Sequence, residues 1–399
     1  MYKVFCRTYQ GVMKFASSFL PWREPELLMG ENSLEKLPAL IKGQGIESVL
    51  IVSDKGIISA RLMDEFLQGL KEAGICFVVY DETVPNPTID NIEEALKVYH
   101  QNKCMGLVAF GGGSPMDCAK GVAARAARPK KTIPQMKGVL KVMKKIPPLF
   151  AIPTTAGTGS EATLAAVVSN SETHEKYAIM DTALIPHYAV LDPVLTLNLP
   201  KHITSTTGMD ALTHAVEAYI GRSNTKETIQ FSKEAVTLIF ENLYECYTNG
   251  TNLTARANMQ RAAYLAGMAF TRAYVGYVHA IAHTLGGFYS IPHGLANAVI
   301  LPYVLEYYGE SAHKPLAELA DLVGLGNQGD SDQIKAEAFI NAIKDMNKKM
   351  DIPAKINGIQ DSDLPVMVER ALSEANPLYP VPKILFKGDM FHLYETIKA

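Results

Sequence analysis

Between Ser48 and Asn198, short apolar, β-branched runs alternate with stretches whose apolar residues recur three and four positions apart. Runs of the first kind suit strands buried on both faces, and stretches of the second kind suit amphipathic helices. The pattern predicts strands over 49–53, 75–80, 105–110 and 149–153, and helices over 57–72, 88–100 and 114–127. This alternation is the signature of βαβ units with right-handed crossovers, so a mostly parallel α/β sheet is expected, with a nucleotide at the carboxyl ends of its strands. After Asp192-Pro193 and Leu199-Pro200 the strand signal vanishes, and residues 203–399 read as successive helices broken by Gly, Pro and Asn clusters. The chain therefore divides into an α/β domain over 1–199, carrying an N-terminal extension over 1–24, and a helical domain over 200–399.

In the extension, Val4, Phe5, Val12, Phe15, Phe19 and Leu20 line one side of a short amphipathic element. Such an element is either a docked segment or a partner-binding tail, and docking is the expectation. The first 23 residues carry Lys3, Arg7, Lys14 and Arg23 without an acid, but polar residues interrupt the apolar run that a secretory signal needs. No apolar stretch approaches the roughly 18 residues that span a bilayer, so no membrane insertion is expected. Five cysteines, odd in number and without a Cys-x-x-Cys pair, exclude a disulfide framework and a thiolate metal site and point to a reducing cytoplasm.

Charge adds one local feature. With 38 basic and 41 acidic residues the net charge is −3, and 48% hydrophobic residues with 20% charged is an ordinary globular balance. That excludes disorder and argues against nucleic-acid binding. Cys118 to Ser160 nevertheless holds nine Lys or Arg and no acid. It reads first as solvated surface and second as a field favouring a phosphorylated cofactor.

Two turns carry candidate phosphate chemistry. Gly111-Gly112-Gly113-Ser114-Pro115-Met116-Asp117 follows a predicted strand and opens a predicted helix. Bare backbone amides then converge at a positive helix terminus, which suits a pyrophosphate. Neither the Gly-x-Gly-x-x-Gly fingerprint nor the P-loop spacing fits. Pro153-Thr154-Thr155-Ala156-Gly157-Thr158-Gly159-Ser160-Glu161 also follows a strand, and two such loops favour a dinucleotide. Asp54 ends the first predicted strand, where a carboxylate accepts bonds from an adenosine ribose and repels a 2′-phosphate, tilting the cofactor toward NAD.

The helical half carries candidate metal chemistry. Asp210 and His214 are one helical turn apart, His279 and His283 repeat the spacing, and His293 follows Pro292. An Asp with several His suits Fe(II), Zn(II) or Co(II) rather than Ca or Mg. Five candidate ligands exceed what a catalytic ion with an open position needs, so one histidine does other work, and spacing does not say which.

Together, the Gly-Gly-Gly-Ser-x-x-Asp turn, the Pro-Thr-Thr-Ala-Gly-Thr-Gly-Ser-Glu loop and the Asp-x-x-x-His, His-x-x-x-His, His-Gly series resemble the iron-containing (group III) alcohol dehydrogenases. The likeness runs from about Pro25 to the C-terminus and includes Gly30-Glu31-Asn32-Ser33-Leu34, Val84-Pro85-Asn86-Pro87-Thr88, Lys176-Tyr177-Ala178-Ile179-Met180-Asp181 and Asn376-Pro377. The resemblance implies a dehydroquinate synthase-like architecture, with an N-terminal dinucleotide domain, an all-α metal domain and a cleft between them. It implies Asp210, His214, His279 and His293 as ligands of Fe(II), or of Zn(II). His283 is then a non-ligand beside the nicotinamide that relays the proton. Asp54, Asn86, Gly112, Gly113, Ser114 and Asp117 match positions that contact the dinucleotide in the family. So do Thr154, Thr155, Thr158, Thr163, Lys176 and Leu195. A homodimer or larger assembly is implied as well.

Departures lie at the substrate end. Many members read Phe-x-Asn-x-x-x-Gly where this chain has Phe270-Thr271-Arg272-Ala273-Tyr274-Val275-Gly276, and Leu164 stands where a similar diol reductase carries Asn. The expected reaction is NAD(H)-linked interconversion of a small primary alcohol and its aldehyde, with the alkoxide on the divalent ion giving hydride to the nicotinamide. A polyol dehydrogenase of the 1,3-propanediol or glycerol type, or a maleylacetate reductase, is the alternative on the same fold. A non-catalytic scaffold would lack a ligand, and the full set is present.

Overall fold

Val49, Leu50, Ile51 and Val52 have no exposed surface, which is what a strand covered on both faces of a parallel sheet requires. The computed structural model describes residues 1–173 and 175–399, which divide into two compact units, Pro21–Asn198 and Met1–Leu20 with Leu199–Ala399.

In the first unit the strands are β1 (Glu26–Met29), β2 (Ser48–Val52), β3 (Cys76–Tyr80), β4 (Gly106–Gly111), β5 (Gly138–Val139), β6 (Leu149–Pro153), β7 (Ala165–Asn170), β8 (Glu175–Met180) and β9 (Tyr188–Leu191). The main sheet runs β1-β9-β6-β4-β2-β3, and its pairs are parallel, with Val49 opposite Gly106 and Leu107 opposite Leu149. Apolar clusters cover both faces, one around Leu50, Leu107, Val122 and Ile92, the other around Ile51, Val108, Phe110 and Phe150. Parallel alignment puts the carboxyl ends of β2, β4 and β6 side by side, so Asp54, Gly111–Gly113 and Thr154 share one edge.

The four predicted strands and the α/β fold class match what is observed. The sequence pattern does not predict the short strands β1 and β9, or the small β5-β8-β7 sheet with its antiparallel β7–β8 pair. One predicted helix is two. The region 57–72 forms α3 (Lys55–Ser59) and α4 (Asp64–Glu72), interrupted where Arg61 takes a left-handed φ of 57°. Downstream, α5 (Ile89–Gln101) and α6 (Gly113–Ala127) follow β3 and β4, while α2 (Leu37–Gly43) precedes β2.

The second unit is helical: α1 (Tyr2–Ser17), then α7 (Lys201–Ile220), α8 (Lys226–Thr248), α9 (Leu253–Ala273), α10 (Tyr277–Tyr289), α11 (His293–Tyr308), α12 (Glu310–Leu322), α13 (Asp332–Lys349), α14 (Leu364–Ala375) and α15 (Lys387–Ile397). Among the described residues no helix is long and apolar enough to cross a membrane.

The extension departs from expectation twice. The sequence pattern groups it with the α/β domain, yet Met1–Leu20 packs with the helical unit. Its amphipathic pattern predicts docking through the apolar side, yet Val4, Phe5, Val12, Phe15 and Phe19 are 54–74% exposed, while Cys6 and Gln10 are buried. The reason is unpaired backbone. Residues 377–382 present carbonyls outside regular structure, and Arg7 donates to Val381 O (2.7 Å) and Pro382 O (2.9 Å) while Gln10 donates to Pro377 O (3.0 Å) and Tyr379 O (2.7 Å). A buried carbonyl left without a donor costs about 1–3 kcal/mol, comparable with exposing one large apolar side chain, and four carbonyls are served here.

Candidate functional site

Asp210, His214 and Glu217 fall four and three residues apart on α7, so they share one helix face. α10 brings His279 and His283, and His293 is the first residue of α11. Glycines permit the approach. A Cβ on Gly294 would meet the backbone Thr206 O at 2.5 Å, so α11 closes onto α7 only with glycine there, and one on Gly276 would meet the Glu217 carboxylate at Oε1, 2.6 Å away.

The donor atoms of Asp210, His214, His279 and His293 lie within 4.8 Å of one another. From Asp210 Oδ1, the nearest ring nitrogens are His214 Nδ1 and His279 Nε2, each at 3.9 Å, and His293 Nε2 at 3.7 Å. Burial pushes the His214 imidazole down to about 3, which keeps it neutral, as a metal ligand must be. Phe270 stacks on the same ring, centroids 4.2 Å apart.

Three imidazoles and one carboxylate at this spacing fit a borderline divalent ion with arms of about 2.0–2.2 Å. A second observation supports the fit. The Asn297 amide Nδ2 donates to Asp210 Oδ1 at 2.6 Å and lies 3.1 Å from His279 Nε2 and 3.2 Å from His293 Nε2. Several acceptor atoms thus converge on one positively polarised group.

His283 is outside this set. Its ring stacks on His293 at 5.2 Å between centroids, and its Nδ1 lies 2.7 Å from Glu374 Oε1, which also accepts from Tyr379 Oη at 2.8 Å. Glu217, 3% exposed, accepts from Gly276 N and Val278 N, each 2.9 Å, and lies 2.6 Å from His279 Nδ1. Burial pushes the Glu217 carboxyl up to about 7, against the backbone donors that favour its anion.

In the α/β unit the two turns meet. Gly112 packs where a Cβ would touch Thr155 Oγ1 at 3.4 Å, and Gly113 where it would touch Thr158 Cγ2 at 2.7 Å. Gly112 caps α6, whose first turn carries no acidic residue. Thr154 N donates to Gly111 O at 3.1 Å. Asn86 N donates to Ser114 Oγ (3.2 Å) and Lys176 Nζ to Asn86 Oδ1 (2.8 Å), so these three residues form one cluster. Asp54 caps α3 by accepting from Ile57 N at 3.0 Å, and its Oδ2 would lie 3.5 Å from a Gly111 Cβ. Leu195 sits in the apolar cluster with Phe110 and Ile152.

Lys120 overturns part of the charge reading. Grouped by sequence with solvated cations, it has no exposed surface. Its Nζ donates to Ser160 O (2.7 Å) and Oγ (3.0 Å), Thr163 O (2.9 Å) and Oγ1 (3.0 Å), and Ala165 O (2.9 Å). Burial lowers its ammonium to about 8, while Asp117 and the buried Glu161 pull it back up. Asp117 and Thr163 therefore serve this hub, with Ser160 Oγ donating to Asp117 Oδ1 at 3.1 Å.

Sequence reasoning missed Lys120, Glu217, Asn297 and Glu374. Glu217 and Asn297 were within reach, since they stand one helical turn from His214 and His293. Glu374 lies 91 positions from His283 and carries no spacing signal.

A parallel α/β unit with two small-residue turns at its strand ends, and a helical unit in which one aspartate and three histidines converge, define a metal-dependent oxidoreductase linked to a nicotinamide cofactor. The chain belongs to the iron-containing alcohol dehydrogenase family: residues 25–193 match the family's iron-containing alcohol dehydrogenase model and 204–398 its C-terminal model. It is 40% identical to 1,3-propanediol dehydrogenase of Citrobacter freundii over 87% of this chain and 90% of that one. It is 34% identical to NAD-dependent methanol dehydrogenase of Bacillus methanolicus over 89% and 93%. The solved alcohol dehydrogenase from Oenococcus oeni superimposes with a TM-score of 0.91 at 36% identity, covering 95% of this chain and 100% of that one.

Proposed function

We propose that the protein interconverts a small primary alcohol and its aldehyde, with NAD(H) as hydride carrier. The observation that carries this reading is the convergence of Asp210, His214, His279 and His293 in a chain of the iron-containing alcohol dehydrogenase family. In the oxidative direction the balance is alcohol plus NAD+ to aldehyde, NADH and one proton.

Those four side chains would hold Fe(II), or Zn(II). When bound, the ion supplies a Lewis acid that lowers the pKa of the alcohol hydroxyl, and the nicotinamide supplies the hydride acceptor. Asp210 contributes the one formal charge of the set, and burial keeps His214 neutral. His283, tied through Nδ1 to Glu374, keeps Nε2 for the proton that the hydroxyl releases, and Glu374 orients the ring. Amides of Gly112, Gly113 and Ser114 receive the pyrophosphate beside Lys176 and Asn86. Thr154, Thr155 and Thr158 line the second turn, and Lys120 holds that turn through Ser160 and Thr163. Asp54 receives the adenosine ribose, which supports NAD over NADP.

The reading extends to a homodimer or larger assembly in a reducing cytoplasm, supported by the family and by the free cysteines. The test is protein purified without oxygen, loaded separately with Fe(II) and Zn(II), and followed for NADH oxidation with short aldehydes and hydroxyaldehydes against a chelated control. Metal-dependent oxidation is expected. Tight NADH binding without turnover on any of these substrates would contradict the proposal.

A further inference from the structure

We propose that Glu217 is a positioning residue for the ion, fixing the tautomer of His279. The inference rests on the reading of His279 as a ligand. It concerns which ring nitrogen is available, since a ligating imidazole must present a lone pair and carry its proton on the other nitrogen.

As a carboxylate, Glu217 leaves one consistent assignment. Gly276 N and Val278 N are backbone groups that only donate, and they reach Oε2 and Oε1 respectively at 2.9 Å. Oε2 also lies 2.6 Å from His279 Nδ1. A carboxylate serving two donors accepts from the third, so the proton stands on Nδ1. Nε2 then carries the lone pair, and Nε2 is the atom 3.9 Å from Asp210 Oδ1. With 3% of Glu217 exposed, water does not compete for these bonds.

Placement strengthens the case. Glu217 is one turn beyond His214 on α7, so the helix that supplies Asp210 and His214 also fixes the ring contributed by α10. The carboxylate meets the first turn of α10, where orphan amides and the helix dipole favour an anion. Gly276 leaves room for that approach, because a Cβ there would lie 2.6 Å from Oε1 and push the carboxylate aside. His283, one turn along α10, is tied instead to Glu374, whose side chain is 27% exposed. The two histidines are thus held at the same atom by carboxylates of different exposure, one sealed and one reaching solvent.

A rival account makes Glu217 only a cap for α10. Glu217→Gln separates the two. If the amide NH2 faces Nδ1, His279 must accept there and carry its proton on Nε2, where no lone pair remains. Dissociation constants for Fe(II) and Zn(II), measured anaerobically by competition with a chelator, are expected to rise about 10–100-fold. Two-bond 15N–1H spectra of histidine-labelled apoprotein are expected to show His279 moving from Nδ1–H to Nε2–H, with His283 unchanged. Glu217→Asp, which restores a carboxylate, is expected to recover part of the affinity. Wild-type metal affinity in Glu217→Gln overturns the proposal. Should that variant fail to fold, the wild-type apoprotein decides alone: Nε2–H on His279 overturns it and Nδ1–H supports it. His279→Ala retaining full metal affinity would instead sink the ligand reading, whereas loss in His279→Ala with retention in Glu217→Gln removes only the role of Glu217.

Discussion

His283 Nδ1 and Glu374 Oε1 lie 2.7 Å apart, joining α10 to α14. The carboxylate holds the ring so that Nε2 stays open, and the Tyr379 hydroxyl steadies the same oxygen at 2.8 Å. General acid–base groups contribute roughly 10²–10⁴-fold to rate, and an orienting partner contributes part of that. Glu374→Gln should lower kcat about 10–100-fold while the metal content of the purified protein stays at the wild-type level. Unchanged kcat would remove Glu374 from the proton path.

The two histidines of α10 should separate cleanly. His279→Ala is expected to lose both bound metal and turnover, because one of four converging donors is gone. His283→Ala is expected to keep most of the metal and lose turnover. Elemental analysis beside kinetics on the same preparations checks both, and full activity in His279→Ala would contradict the assignment.

Cofactor choice should turn on Asp54. Its carboxylate also caps α3, so Asp54→Gly would mix selectivity with a small loss of helix stability. Asp54→Asn keeps a good cap and removes the charge. The ratio of kcat/KM for NADP to that for NAD should rise tenfold or more, and an unchanged ratio would refute the selective role.

Lys120 gives a pH signature. Burial lowers its ammonium from an ordinary 10.5 to about 8, so between those values the unfolded chain holds a proton that the folded chain has released. Stability rises with pH wherever the unfolded state binds more protons. Lys120→Met, which leaves the carbonyls of Ser160, Thr163 and Ala165 without their donor, should cost about 3 kcal/mol or more at pH 7. From pH 8 to pH 10 the wild type should gain further on the variant in denaturant midpoint. A gap that narrows over that interval would contradict the lowering of the Lys120 ammonium by burial.

How far the sequence reached follows from the physics of each element. Strands buried on both faces, such as 49–52, announce themselves as unbroken apolar runs. β1 and β9 are only four residues each, too short to stand out from loop. Asp210 and His214 were legible because one helix carries both. That His279 and His293 join them depends on α10 and α11 closing onto α7, which Gly276 and Gly294 allow and no spacing rule encodes. Lys120 misled because charge counts carry no burial: an ammonium matched to five oxygens is stable where an unpaired one is not. The N-terminal helix misled for the converse reason, since amphipathicity identifies an apolar side without saying what covers it.

The central claim is metal-dependent hydride transfer between a nicotinamide and a primary carbon. Its most direct measurement supplies NADH deuterated at C4 of the nicotinamide, a separate preparation for each face, to Fe(II)-loaded and to chelated protein with a short aldehyde, and weighs the alcohol formed by mass spectrometry. The account predicts one deuterium at C1 of the alcohol from one of the two preparations, only with the metal present. Transfer that persists at full rate after chelation, or NADH oxidation that leaves both products unlabelled, would contradict it.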